Sequence, residues 1–208
     1  MKLRKRIMKN MVLAALCSSL FIIGAGAGSS YAAQAPAPSK APAETIDAAT
    51  LSNKWDKTFP ENAKVAHQKI TFHNRYGITL VGDLYTPKNM KQGEKLAAIA
   101  VAGPYGAVKE QVSGRYAQEL AARGFITLAF DPSFTGESAG EPRNTTSPDI
   151  NTEDFSAAVD YLSTRNNIAP EKIGILGICG WGGFALNDAA MDTRVKATVI
   201  STMYDMSR

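Results

Sequence analysis

Cys179 is the residue whose surroundings suit covalent chemistry. It stands in the segment Ile173-Gly174-Ile175-Leu176-Gly177-Ile178-Cys179-Gly180-Trp181-Gly182-Gly183, where an apolar run leads into the cysteine and glycines flank it. A nucleophile perched on a tight strand–turn–helix needs strained backbone angles. Small neighbours let such a turn close and the helix pack on the strand. The helix N-terminus would supply free N–H groups and partial positive charge beside the sulfur. The N–H of Gly180, directly after the sulfur-bearing residue, is placed to hold an oxyanion. The chemistry this suits is attack on a carbonyl with a covalent thioester intermediate. Two other readings fit the same residues: a glycine-rich turn around a small buried cysteine, and a phosphate-binding turn. The second lacks the G-x-G-x-x-G spacing after a first strand and a P-loop lysine.

The chain has 208 residues and two cysteines, Cys17 and Cys179. Met1–Asn10 is basic, Met11–Gly28 is apolar and small, and Ser30 and Ala32 fit a signal-peptidase site. This is the pattern of a Sec-type signal peptide over residues 1–32, so the protein is expected to be exported to the periplasm or cell exterior, with no membrane partner after cleavage. The apolar run is short for a retained span. Cleavage would remove Cys17 and leave Cys179 as the single cysteine of an exported chain, which is an intermolecular bridge, an inert buried thiol or a reactive group. The formal charge of +4 is concentrated in the leader: beyond residue 32 there are 18 basic residues against 19 acidic. A nucleic-acid partner would need a basic surface that this balance does not provide. Two separated histidines and one cysteine form no metal-ligand cluster, and no cofactor motif is present, so neither a metal nor a cofactor is expected.

These residues must be positioned by regular elements. Residues 33–43 (AQAPAPSKAPA) read as a linker, and 44–64 as an arm carrying Trp55 and Phe59. Ile70–His73 and Ile78–Tyr85 read as a hairpin joined by Asn74-Arg75-Tyr76-Gly77. The unbroken apolar runs Leu96–Val101, Phe125–Phe130 and Ile173–Ile178 read as buried strands, with Val195–Ser201 a last one. Helical spacing appears over Glu110–Arg123, from Asn151 or Thr152 to about Arg165, and over Gly180–Met191. Strands alternating with helices predict an α/β fold: a mostly parallel twisted sheet with helices on both faces.

Four segments in this order resemble the α/β-hydrolase superfamily, in its dienelactone-hydrolase-like branch with a cysteine nucleophile elbow. They are Gly177–Gly183 at the elbow, Gly103-Pro104-Tyr105-Gly106 after the third strand, Asp131–Ser138 after the fourth, and Asp154–Leu162 before the elbow strand. The resemblance covers residues 65–208. It implies catalysis by Cys179, an oxyanion hole from the Gly180 and Tyr105 N–H groups, and a small ester or lactone as substrate. Pro104 has no N–H to offer. Asp131 and Ser138 are expected to hold their loop together, and Trp181 to be a packing residue or pocket wall.

Two departures stand out. Trp181 occupies a place that is usually small. The family's acid and general-base histidine follow later strands, and this chain is expected to lack both the last strands and the last helices. His67 and His73 lie beside the first strand and read as strand or surface residues. Asp205 follows the last strand but would have no histidine to orient. The chain is therefore expected to be an incomplete or inactive hydrolase, with the 195–201 strand an apolar edge open to self-association. A non-catalytic hydrolase-like binding or scaffold protein is the alternative, and a redox thiol a weaker one because the mature chain has no resolving cysteine.

Overall fold

The three longest apolar runs become the three central strands, because a strand covered on both faces must be apolar on both. The computed structural model describes residues 45–52 and 54–203. The leader, the linker and Asp205 lie outside the described residues. The elements, in chain order, are β1 (Val65–His73), β2 (Thr79–Pro87), β3 (Leu96–Ala102), α1 (Val112–Ala121), β4 (Ile126–Phe130), α2 (Pro148–Ser163), β5 (Ile168–Ile178), α3 (Gly180–Met191) and β6 (Val195–Ser201). The sheet order is β1-β2-β4-β3-β5-β6, with β1 and β2 antiparallel and β4, β3, β5 and β6 parallel.

Alternation along the strands divides the core into two layers. Ile70, Leu84, Ala100, Leu128 and Ile175 face α2 and α3, packing with Phe155, Val159, Trp181 and Phe184. Tyr85, Val101, Ala129, Leu176 and Ile178 face the other way, onto Ala117 and Ala121 of α1. Helices thus cover both faces, as expected. At the sheet's far edge β6 leaves Val199 54% exposed.

Several boundaries differ from the sequence expectation by one or two residues, and the starts of three elements differ by more. β1 begins at Val65, since His67 and Lys69 pair with Tyr85 and Asp83 of β2. β5 begins at Ile168, which pairs with Leu96 across a bulge. α2 begins at Pro148 with Ser147 as its cap, rather than at 151–152. Asn151 is not a cap: its side chain accepts the Ser147 N–H at 3.0 Å and donates to Asp154 at 3.0 Å inside the helix.

Asp154 ties this end of the sheet together. Its buried carboxylate accepts from Asn74 Nδ2 (2.9 Å), Ser133 N (2.9 Å) and Ser133 Oγ (2.7 Å), joining the β1–β2 turn, the loop after β4 and α2. Between α2 and α3, Ser156 Oγ donates to Asp188 Oδ1, while Asp188 Oδ2 is buried without a hydrogen-bond partner. Burial pushes the Asp188 carboxyl up to about 6, and Asp192 and Glu153 add to the rise.

Because the folded value lies above the unfolded value of 3.8, the folded chain retains a proton that the unfolded chain has lost between about pH 4 and 6. Stability should therefore fall as pH rises through that window, by roughly 2 kcal/mol. Asp188→Asn is expected to flatten this dependence and to melt higher than the parent above pH 6 in thermal scans.

Candidate active site

The connections after β3 and β5 leave in opposite directions. β3 leads to β4 on one side and β5 leads to β6 on the other, while the two strands lie side by side with Ala102 opposite Gly177. In an open α/β sheet the crevice at such a switch point, outside the carboxyl ends of the strands, is where ligands bind. Cys179 follows β5 at this edge, and the Gly103–Gly106 loop follows β3 beside it.

Cys179 is the N-cap of α3, with φ 59° and ψ −127°. A non-glycine residue there carries strain of about 1–3 kcal/mol that the surroundings must overcome. Two backbone bonds do so: Cys179 N–H donates to Ser201 O at 2.8 Å, and Gly182 N–H donates to Cys179 O at 3.0 Å. The residue is partly exposed, not sealed in the core. Gly180 opens the helix, where N–H groups have no intrahelical acceptor. The turn closes because Gly177 has no side chain. A Cβ there would stand 2.4 Å from Trp181 O and 2.7 Å from Ala185 Cβ.

Trp181 is 4% exposed and packs on Phe155 and Phe184 at ring separations of 6.0 and 5.1 Å. The large residue at a usually small place is absorbed by the core beneath α3. Tyr105 is 38% exposed and lies 6.5 Å from the Phe184 ring, so the loop after β3 reaches α3. His67 is no surface residue: its Nε2 is 2.8 Å from Asp83 Oδ1, and its ring lies against Trp55 and Tyr85. His73 is exposed at the end of β1.

Asp131 and Ser138 hold their loop, as the sequence suggested. Ser138 Oγ donates to Asp131 O at 2.6 Å and accepts the Val81 N–H at 2.8 Å. Unforeseen was the company Asp131 keeps. Lys57, Lys69 and Lys109 have side chains 0–1% exposed, among Asp56, Asp83, Glu110, Asp131 and Glu137. Burial opposes the Lys109 ammonium, but Asp131 and Glu110 outweigh it and hold its pKa above the ordinary lysine range. Glu110, Asp131 and Glu137 bring carboxylate oxygens within 4.8 Å of one another. Lys109 Nζ stands among them at 2.6, 2.8 and 2.7 Å, where a cation would sit. The one advance signal was the Asp131–Ser138 segment, whose aspartate was expected to hold its loop. A cleft of about 430 Å³ between the β1–β2 turn, α2 and the end of α3 is lined by Arg75, Glu153, Ser156 and Asp192 among others, and by no elbow residue.

The family model for the X-Pro dipeptidyl-peptidases (S15 family) matches residues 76–207. The chain belongs to that family. Among its relatives, the uncharacterized protein PA2218 of Pseudomonas aeruginosa is 66% identical over 158 residues, 76% of this chain and 42% of that one. Its crystal structure superposes with a TM-score of 0.75 at 64% identity, covering 79% of this chain and 50% of that chain. The thiohydrolase AneE of Aspergillus aculeatus is 33% identical over 140 residues, 67% of this chain and 42% of its own. The α/β-hydrolase GrgF of Penicillium sp. sh18 is 25% identical with a TM-score of 0.61, covering 65% of this chain and 45% of that one. This S15 member therefore has the α/β-hydrolase fold and spans about half the length of the relatives it matches. The superfamily expected from the sequence holds, and the matching branch is S15.

Gly177→Ala is expected to cost about 2–3 kcal/mol, because the atoms a methyl would meet include backbone that cannot swing away. Chemical denaturation would show it as a lowered midpoint with an unchanged slope.

Proposed function

We propose that this protein is a hydrolase of small carboxylic esters or lactones with Cys179 as its nucleophile. The observation that carries the reading is the strained, partly exposed cysteine at the turn between β5 and α3. Strain at one residue, held by bonds on both sides, marks a position whose geometry is needed. The thiohydrolase among the relatives supports hydrolysis as the reaction class, and the dienelactone-hydrolase-like elbow supports an ester or lactone.

In this reading Cys179 Sγ attacks the carbonyl carbon and the π electrons move onto oxygen. The Gly180 and Tyr105 N–H groups donate to the resulting oxyanion. Collapse breaks the bond to the alcohol oxygen, which leaves as the alcohol carrying the proton given up by the thiol, and the resulting thioester is cleaved by water to acid and free thiol. The resemblance places the general base and its acid after later strands than β6. His67 is not the base in this scheme, since its Nε2 faces Asp83. Export through the Sec route, supported by the pattern of residues 1–32, belongs to the same proposal.

Incubation with p-nitrophenyl acetate is expected to release one nitrophenolate per chain in a burst and to leave an acetylated Cys179 detectable by mass spectrometry. Cys179→Ala should abolish the burst. A parent chain that stays unmodified would favour a non-catalytic scaffold. A second expectation concerns association: Val199, exposed on the β6 edge, supports self-pairing. Val199→Lys should lower the apparent mass in size-exclusion chromatography if that edge pairs.

A further inference from the structure

The loop that carries Tyr105 runs from Gly103 to the start of α1, and Lys109 lies near its end. Three of its bonds reach across to the loop after β4. The Lys109 backbone N–H donates to Asp131 Oδ1 at 2.7 Å, and Lys109 Nζ donates to Asp131 Oδ2 at 2.8 Å. Lys109 Nζ also donates to Glu137 Oε2 at 2.7 Å. The Glu137 N–H returns to Asp131 Oδ2 at 2.9 Å. Asp131 thus accepts three hydrogen bonds, the acceptor-only pattern of an ionised carboxylate.

The backbone after β4 is shaped around this carboxylate. Gly136 has φ +56°, and a Cβ there would lie 2.2 Å from Asp131 Oδ2. Asp131 is in turn anchored to the sheet, its N–H donating to Val81 O at 2.9 Å. The Lys69 ammonium, from β1, closes the outer side by donating to both oxygens of Glu137 at 3.0 and 2.9 Å. A fully buried ion pair between two loops is a weak device for stability alone, because apolar side chains of similar volume hold loops together at least as well.

We infer that Lys109 is a positioning residue for acylation: through Asp131 it clamps the loop after β3 to the loop after β4, and so sets where the Tyr105 N–H meets the substrate oxyanion. This rests on the Cys179 reading above. Fixing a donor in place before the reaction is what makes an oxyanion site effective, and a displaced donor loses part of that effect.

The test compares two reactions of the same thiol in the full chain. With p-nitrophenyl acetate an S–C bond forms, the C–O bond to p-nitrophenolate breaks, the thiol proton goes to solvent, and an oxyanion develops on the way. With iodoacetamide the sulfur displaces iodide at a saturated carbon, and no oxyanion develops. Lys109→Met is expected to slow acylation about tenfold and to leave alkylation at the parent rate. Acylation at the parent rate, or an equal fall in both reactions, would overturn the clamp. Should Lys109→Met fail to melt cooperatively, Glu137→Gln serves in its place. It keeps Lys109 and Asp131 and weakens one arm, so acylation should fall about threefold with alkylation unchanged, and an unchanged ratio overturns the inference. A parent chain that alkylates but does not acylate would overturn the ester reading itself, and the clamp with it.

Discussion

One backbone conformation, φ 59° at Cys179, is the constraint on which the site depends. A β-carbon disfavours it, so it persists only where the chain on both sides is held. On the strand side the hold is the β5–β6 ladder, continued by the Cys179 N–H to Ser201. On the helix side it is close packing of α3 on β5, with Trp181 driven into the core between Phe155 and Phe184. Remove the small residue at 177 and helix and strand cannot approach. The strain, the glycine and the buried tryptophan are parts of one arrangement.

The opposite face of the sheet solves a different problem. Three lysine ammonium groups leave water there, and taking even one charge out of water costs several kcal/mol unless it is paired and hydrogen-bonded. Each is met by carboxylates supplied from separate segments: Asp56 from the arm, Asp83 from β2, Glu110 from before α1, and Asp131 and Glu137 from the loop after β4. Segments distant in sequence are thereby joined by groups that are all needed at once. The arm belongs to this arrangement, with Trp55 Nε1–H donating to Phe59 O at 2.8 Å and the Gln118 side chain holding Pro60 and Asn62.

The elbow was legible because its parts are contiguous: an apolar strand, the cysteine, then glycines, all within Ile173–Gly183. The helix from Gly180 to Met191 and the last strand were read to the residue for the same reason. The lysine cluster was not legible. A lysine in a sequence reads as solvent-facing, and what reverses that at 57, 69 and 109 is the simultaneous approach of acids up to 68 residues away. His67 stands on a strand as read, but its partner was not legible, since Asp83 reaches it through strand pairing that no local pattern announces. The start of α2 was misplaced because Asn151, a residue suited to a cap, instead spends its side chain on Ser147 and Asp154.

By itself, then, the sequence determined the alternation of strands and helices, the two-sided burial of the central strands and the residue at the elbow. Those follow from hydrophobic periodicity and from steric rules that act between near neighbours. Tertiary structure decided which loops meet at the switch point, how far Cys179 stands out of the core, and that Lys109 and Asp131 bridge the loops on either side. These depend on which strands become neighbours in space, and on charges that are tolerable in the interior only once their distant partners have arrived.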